Sequence, residues 1–353
     1  MPAPTEADSP RGRSRFRRAV RYAAAGVPFV TATAALTARF VPVTNHLVLA
    51  LAAWFPYLLI GAAVAALLLL FTHRRYIGAV ALLLTAAAAG VQIPLFVGSN
   101  EVPANTVPVR LLTANLSEGA VDPKPLMAIA RDRTDLLLVQ ELTPQLADTL
   151  AEDGIDTAFP YKALDARPFA AGVGIWSRYP IVGSRLIPGY RLGMLSANIR
   201  VPGAADDAVV VVTHLAGPWP QPIDDWVREI TTLPDTLRQV ATGAGERSAI
   251  VAGDFNATYD LQPFRRLLHD GFRDAAEQSG AGLTPTFPAD SVVPPLLGID
   301  RILTLNGSTT DVQTVRIPGS DHLGLSATIH TPRQSRPALT VVGSSPSVAP
   351  EPG

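Results

Sequence analysis

A chain of 353 residues with 48% hydrophobic residues, no cysteine and a net charge of −1 has room for two or three domains but excludes disulfides, thiolate metal sites and cysteine nucleophiles. The small net charge conceals a division. Residues 1–100 hold nine arginines and two acids, a net of +7, and the remaining 20 basic and 28 acidic residues give −8. A region at −8 lacks the basic surplus on which generic DNA binding depends.

Residues 1–18 form a basic tail containing Arg11, Arg13, Arg15, Arg17 and Arg18. Three apolar stretches follow within 19–98, at 19–38, 47–71 and 77–97, each reaching the ~20 residues that cross a hydrocarbon core. The second has no charge and contains Trp54, Phe55 and Tyr57. The first has another reading as a signal peptide, with 11–18 as its basic region and Ala and Thr residues near 33–38 as a cleavage site. The later two stretches hold the chain in a membrane on either reading. Arginine placement sets the orientation. The tail, Arg74 and Arg75 are expected in the cytoplasm, since the intervening loop has only Arg39. Three crossings then place everything after Val97 outside, making a multi-pass cell-membrane protein with an extracellular domain.

Residues 99–108 are a polar, proline-containing linker. Beyond them, short aliphatic or β-branched runs end abruptly in polar residues at 109–115, 136–141, 209–214, 249–256 and 299–303, and runs at 172–177 and 325–329 have the same make-up. Their length and residue types predict buried strands. Helical patterns lie between them at 123–133, from Thr143-Pro144 onward, at 224–240 and at 261–270, the last stopped by Gly271. Interleaved strands and helices predict a layered α/β or α+β domain over 109–331. The Pro- and Ser-rich tail at 332–353 is expected to be disordered.

The strand ends present Asn115, Glu141, His214, Asp254 with Asn256, and Asp300, and a loop adds Asp321 and His322. Any one of these alone reads as a turn residue or a structural histidine. Together, buried strands delivering polar groups at one end make a cleft with convergent carboxylates. Carboxylates and amides without thiols suit a hard cation, Mg2+, with Mn2+ or Ca2+ as alternatives. Zinc is the rival, but no HExxH or similarly spaced histidine pair is present. Two imidazoles beside such a cation suggest one group that neutralises phosphate charge and one that handles a proton.

The ordered segments Leu-Thr-Ala-Asn115, Leu-Val-Gln-Glu141, Gly-Val-Gly-Ile-Trp-Ser-Arg178-Tyr-Pro-Ile, Val-Thr-His214-Leu, Gly-Asp254-Phe-Asn256, Ile-Asp300-Arg-Ile-Leu and Ser-Asp321-His322 resemble the motifs of the endonuclease/exonuclease/phosphatase (DNase I-like) superfamily. That group includes DNase I-like nucleases, sphingomyelinases and inositol phosphatases. The resemblance runs from about Val109 to His330 with no motif missing. It implies an α/β (α+β) four-layer sandwich of two mixed β-sheets flanked by helices, here preceded by three transmembrane helices. It implies Glu141 as principal metal ligand with Asn115 beside it and Asp321 in support. It also implies Asp254 as the group that orients or deprotonates water, Asn256 as a phosphoryl donor, His214 as a transition-state-stabilising contact, and His322 as the acid/base imidazole held by Asp300. Arg178 and Arg301 are candidates for further phosphate contacts.

Membership of the superfamily does not identify the substrate. The charge of −8 and the membrane location favour a membrane lipid or lipid-linked phosphate over nucleic acid, and no protein partner is inferred. The loop Leu-Ala-Gly-Pro-Trp219-Pro-Gln-Pro, followed by Trp226, is either a packed surface loop or a contact for a lipid chain. Three spans ahead of this domain also resemble the membrane-bound group associated with glycopeptide resistance (VanJ-like), which implies a polyprenyl pyrophosphate substrate. The alternatives are an extracellular nuclease and, from another class, a catalytically inactive membrane sensor or scaffold.

Overall fold

The computed structural model describes residues 26–72 and 74–334. The basic tail at 1–18, the start of the apolar stretch at 19–38, His73 and residues 335–353 of the C-terminal tail lie outside the described residues.

Among the described residues, twelve strands build the core. In chain order they are β1 (Thr106–Asn115), β2 (Leu136–Gln140), β3 (Tyr161–Asp165), β4 (Val173–Ser177), β5 (Ile181–Leu186) and β6 (Met194–Ile199), then β7 (Ala208–His214), β8 (Ala249–Asp254), β9 (Arg273–Asp274), β10 (Asp300–Leu305), β11 (Ser308–Arg316) and β12 (Leu323–Pro332). They form two six-stranded sheets, ordered β11-β12-β1-β2-β4-β3 and β5-β6-β7-β8-β10-β9. Each sheet is mixed: β1 runs parallel to β2 and β7 parallel to β8, and the other pairings are antiparallel.

Side-chain alternation explains the unbroken apolar runs, because a strand covered on both faces has no polar side. In β1 and β2, Val109, Leu111, Leu136 and Leu138 pack between the sheets against Val210, Val212, Ile250 and Ile302. Their neighbours Leu112, Ala114, Leu137 and Val139 face outward onto Leu126, Met127, Leu146 and Leu150. Those four residues come from the helices Pro123–Arg133 and Pro144–Glu152, the second starting as predicted on the cap Thr143 and the first capped by Asp122. The helix Asp224–Ala244 covers the far face of the second sheet through Trp226, Ile230, Leu233 and Leu237. The predicted pair of mixed sheets flanked by helices is therefore present. Three details differ. β1 begins at Thr106, inside the predicted linker. The helix expected over 261–270 is only Gln262–Arg266. Trp226 is fully buried, with its indole N–H donating to the Phe255 carbonyl at 3.3 Å, so it offers nothing to a lipid.

The N-terminal part contains a helix over residues 26–40 (α1), then α2 (His46–Ala53), α3 (Phe55–Leu70) and α4 (Arg75–Ala89), the last continuing as a helical segment to Phe96. Among the described residues, Arg75–Phe96 is the one helix long and apolar enough to cross a membrane. The expected continuous span at 47–71 is instead bent by 64° between α2 and α3. The break falls at Trp54, where Pro56 opens a new helix; its nitrogen has no hydrogen to continue the preceding turn. The 16 residues of α3 alone reach only about 24 Å, short of the ~30 Å hydrocarbon core. The pair counts as a second crossing only if both helices form one broken span. Three straight spans are thus not what the described residues display.

These helices are not a separate body. Val43, Ala52 and Leu95 are buried in the same apolar cluster as Trp226, Phe255 and Phe264. Arg39 pairs with Asp260 at 2.7 Å, with the two side chains 4% and 2% exposed, and the Gln92 amide donates to the same Asp260 oxygen at 2.8 Å.

Candidate active site

Strand direction brings the polar groups together. β1, β2, β7 and β8 all end at one edge of the sandwich, delivering Asn115, Glu141, His214 and Asp254 there. β10 runs antiparallel to β8, so its first residue, Asp300, lies in register with Asp254, which in turn pairs with His214. β12 runs antiparallel to β1, which puts Asp321 and His322, just before its start, at the same edge. Local backbone shape supports the arrangement. Glu141 and Asn256 sit at φ 59° and 49°, a left-handed conformation that non-glycine residues hold only when their surroundings enforce it. Gly253 packs so tightly on β7 that an added Cβ would lie 1.9 Å from the Thr213 carbonyl oxygen, so the residue before Asp254 must be glycine.

Asp254 is the centre of the cluster. Its Oδ1 accepts from the Asn256 backbone N–H at 2.7 Å, and its Oδ2 accepts from Asn115 Nδ2 at 3.2 Å. The same Asn115 nitrogen donates to Glu141 Oε1 at 3.0 Å, and the Glu118 backbone N–H donates to Glu141 Oε2 at 2.6 Å. Asn256 Nδ2 donates to the Leu215 carbonyl at 2.9 Å. Burial pushes the Asp254 carboxyl up to about 7, and the Asp300 and Glu141 charges add to this, while His322 and the Asn256 N–H oppose it.

The two histidines differ in kind. His214 Nδ1 donates to the Ala170 carbonyl at 3.0 Å, and burial pulls its pKa down to about 4, so the ring is neutral at pH 7. Its Nε2 lone pair faces Glu141 Oε1 at 3.8 Å and Asp254 Oδ2 at 3.6 Å. His322 Nδ1 donates to Asp300 Oδ2 at 2.8 Å and its Nε2 lies 3.9 Å from Asp254 Oδ2. Burial opposes charge on this ring, but Asp300, through its charge and hydrogen bond, then Asp254 and Asp321, lifts it to about 10. Proximity to carboxylates thus makes one imidazole a cation, and burial keeps the other neutral.

Glu141 Oε1 and Asp254 Oδ2 each lie within 4 Å of the His214 Nε2 lone pair, and one Asn115 amide donates to both carboxylates, an arrangement that attracts a proton or a cation. Asp254, Asp300 and His322 also bring three ligand atoms within 4.8 Å of one another, and Asp300 Oδ1 is buried without a hydrogen-bond partner among the described residues. An oxygen-rich, thiol-free donor set fits a hard divalent ion.

This constellation can be set beside known proteins. Residues 110–322 match the Endonuclease/Exonuclease/phosphatase family. The chain belongs to that family. Solved structures with the same fold include D. rerio TDP2 complexed with single strand DNA product, at 20% identity and a TM-score of 0.52, covering 64% of this chain and 99% of that one. A 3' phosphatase, NExo, from Neisseria bound to a product DNA hairpin aligns at 18% identity and a TM-score of 0.51, over 62% and 98% of the two chains. Truncated Caenorhabditis elegans TDP2 aligns at 14% identity with a TM-score of 0.51, over 63% and 97%. No curated protein sequence matches the chain.

Within this phosphoesterase fold, two of the expected phosphate contacts are elsewhere. Arg178 follows the end of β4, which pairs antiparallel with β2, and so lies at the opposite edge from Glu141. Its guanidinium donates to the Thr134 carbonyl at 2.7 Å and stacks on Phe159. Arg301 adjoins Asp300 on a strand, so its side chain leaves by the other face. There it pairs with Asp274 at 2.8 Å, both side chains 1% exposed. It is a structural arginine. Arg301→Met is expected to destabilise the protein by about 3–5 kcal/mol, because Asp274 is left buried and unpaired. A urea titration measures this, and adding Asp274→Leu should recover most of the loss; an unchanged midpoint for the single variant would refute the assignment.

Asp321 is at the edge of the cluster but outside its closest group, with its carboxylate accepting from the Ser117 hydroxyl. Several supporting residues escaped sequence reasoning. Ser320 Oγ donates to the Asn115 carbonyl at 2.8 Å and accepts from the His322 N–H at 2.9 Å, tying two motifs together. Its place in Ser-Asp-His was a usable signal. Phe287, with its ring 4.9 Å from that of His322, had none.

Proposed function

We propose that the chain is a membrane-anchored, extracytoplasmic, metal-dependent phosphoester hydrolase whose substrate is a lipid-linked phosphate or pyrophosphate. The observation that carries the chemistry is the buried Asp300–His322–Asp254 array beside Glu141 and Asn115. Asp254, with a pKa near neutrality, accepts the proton of an attacking water, which matches a general base to its working pH. His322, held as a cation by Asp300, faces the same space and donates a proton to the leaving oxygen. Asn256 and the neutral His214 fix the position of the phosphoryl group. A divalent ion, Mg2+ by preference, would be held by Glu141 and would polarise the phosphoryl oxygens. Asn115 then acts by orienting both carboxylates.

The lipid assignment is supported by helices that share the apolar core of the catalytic domain, by the charge of −8 beyond residue 100, and by the exposed Trp219 in the loop that follows His214. It makes the chain similar in layout to the VanJ-like group. A nuclease is the second reading, favoured by the DNA products bound to the TDP2 and NExo structures. Detergent-solubilised protein should release phosphate from a prenyl pyrophosphate with added Mg2+, stop with EDTA, and leave plasmid DNA intact. Efficient plasmid nicking would reverse the substrate choice, and no Mg2+-dependent release from any phosphoester would reject the hydrolase.

A further inference from the structure

We infer that α2 and the first turn of α3 form the mouth of the catalytic cleft: His46 and Tyr57 pin two loops beside the reacting groups and so select substrates with an apolar chain next to the phosphate. The inference deepens the proposed hydrolase and rests on it for the substrate's phosphate.

The first loop leaves the site directly from His214. Its Leu215 carbonyl accepts from Asn256, and three residues on His46 Nε2 donates to the Pro218 carbonyl at 2.8 Å. The His46 ring also meets Trp219 edge-on, with centroids 4.9 Å apart, while the indole remains 70% exposed. The second loop runs from Phe287, whose ring lies against His322, to Asp300. The Tyr57 hydroxyl donates to the Leu296 carbonyl at 2.5 Å. Leu296 N–H in turn donates to the Phe287 carbonyl at 3.0 Å, so the pin reaches the aromatic wall of the site across one antiparallel bridge.

Both anchors come from one short stretch. His46 opens the eight-residue α2, and Tyr57 follows its end, its ring tilted against that of Trp54 with centroids 5.6 Å apart. The eight residues of this helix rise about 12 Å, with one anchor at its start and the other past its end. Its inner side packs into the catalytic core through Val48, Leu49 and Leu51. Leu47, Ala50 and Trp54, at i, i+3 and i+7, form an exposed apolar stripe. Trp219 on one loop and Val292 and Val293 on the other are exposed as well. A cleft whose interior is ionic and whose entrance is apolar fits a ligand with the same division, a phosphate head on a hydrocarbon chain.

Two variants that each remove one hydrogen bond test this in the full-length protein in detergent. Tyr57→Phe deletes only the hydroxyl, and His46→Phe keeps a ring against Trp219. In each, the ratio of kcat/KM for farnesyl pyrophosphate to that for dimethylallyl pyrophosphate should fall about 3–10-fold, the value of one hydrogen bond, chiefly through KM. Hydrogen exchange should rise in 288–298 for Tyr57→Phe and in 216–222 for His46→Phe. An unchanged ratio, or one general loss for both substrates with exchange unaltered in these loops, would overturn the inference. Wild-type protein that hydrolyses neither substrate would reject the proposed function instead, and the exchange measurement would still decide whether the loops are pinned.

Discussion

Replacing Asp254 by Asn is expected to lower phosphate release by about 10²–10⁴-fold and, in the absence of metal, to raise thermal stability above pH 7. The loss follows from geometry. Asp254 Oδ2 is the atom shared by Asn115, His214 and His322, so it is the one carboxylate placed to take a proton between both imidazoles. The stability gain follows from burial. The folded pKa is raised from 3.8 to about 7, so the folded state disfavours the ionised form. The acid's contribution is fully present below about pH 4 and is lost as pH rises through 7. Asparagine carries no charge to bury, keeps an acceptor for the Asn256 N–H, and places a donor opposite the His214 lone pair, although it gives up the Asn115 hydrogen bond. Melting curves in EDTA should therefore separate the variant from wild type more at pH 8 than at pH 4. A variant that melts no higher than wild type at pH 8, or retains a tenth of the activity, would refute this account of Asp254.

The second large effect is expected at Asp300. Asp300→Asn should displace the whole pH–activity profile to lower pH and reduce the rate at neutrality by about 10²–10³-fold. Without metal, Asp254 ionises near 7 and His322 loses its proton near 10, and a bound divalent ion draws the acid limb lower. The apparent values belong to the coupled cluster. Asp300 is a leading cause of both: its charge raises the Asp254 carboxyl and, with its hydrogen bond, raises the imidazole. Without it, burial still opposes the charge on His322 while its strongest support is gone, so the pKa of the ring falls. Both limbs then move towards acid, and the alkaline limb moves further because it loses the hydrogen bond as well as the charge. The rate profile in fixed Mg2+ measures this directly. An alkaline limb that stays near 10 would mean that His322 is not the protonated group.

The legible parts of the sequence were those where local chemistry and tertiary context agree. The runs at Leu136–Gln140 and Ala208–His214 are buried on both faces, so they carry the unbroken apolar signal of a central strand. The polar residues at their ends announce the site because nothing else explains a histidine or carboxylate at the close of such a run. The edge strands had no such signal. β5 is almost wholly exposed, and β11 alternates irregularly around a bulge between Thr310 and Gln313. Both are strands because a neighbour supplies hydrogen bonds, and composition does not record that. The arginines misled for a related reason. Arg301 adjoins a catalytic candidate in sequence, but alternation along a strand sends consecutive side chains to opposite faces. The apolar stretch at 47–71 had the length of a crossing. Hydropathy takes no account of the turn at Trp54 or of a helix that turns one side to a protein core.

The buried pair of Arg39 and Asp260 has a consequence for how the protein is made. Its partners are 221 residues apart, so the arginine emerges long before the carboxylate that neutralises it. Through that interval the early helices carry an unmatched guanidinium and an unfilled apolar face, and they reach their final arrangement only after β8 and the following loop have been synthesised. Closing so long a loop is slow but adds little to the equilibrium cost. The helices and the catalytic layers should therefore mature in a single late step and unfold in a single transition. A fragment that starts after the helices would lack the partner that makes Asp260 tolerable in its interior.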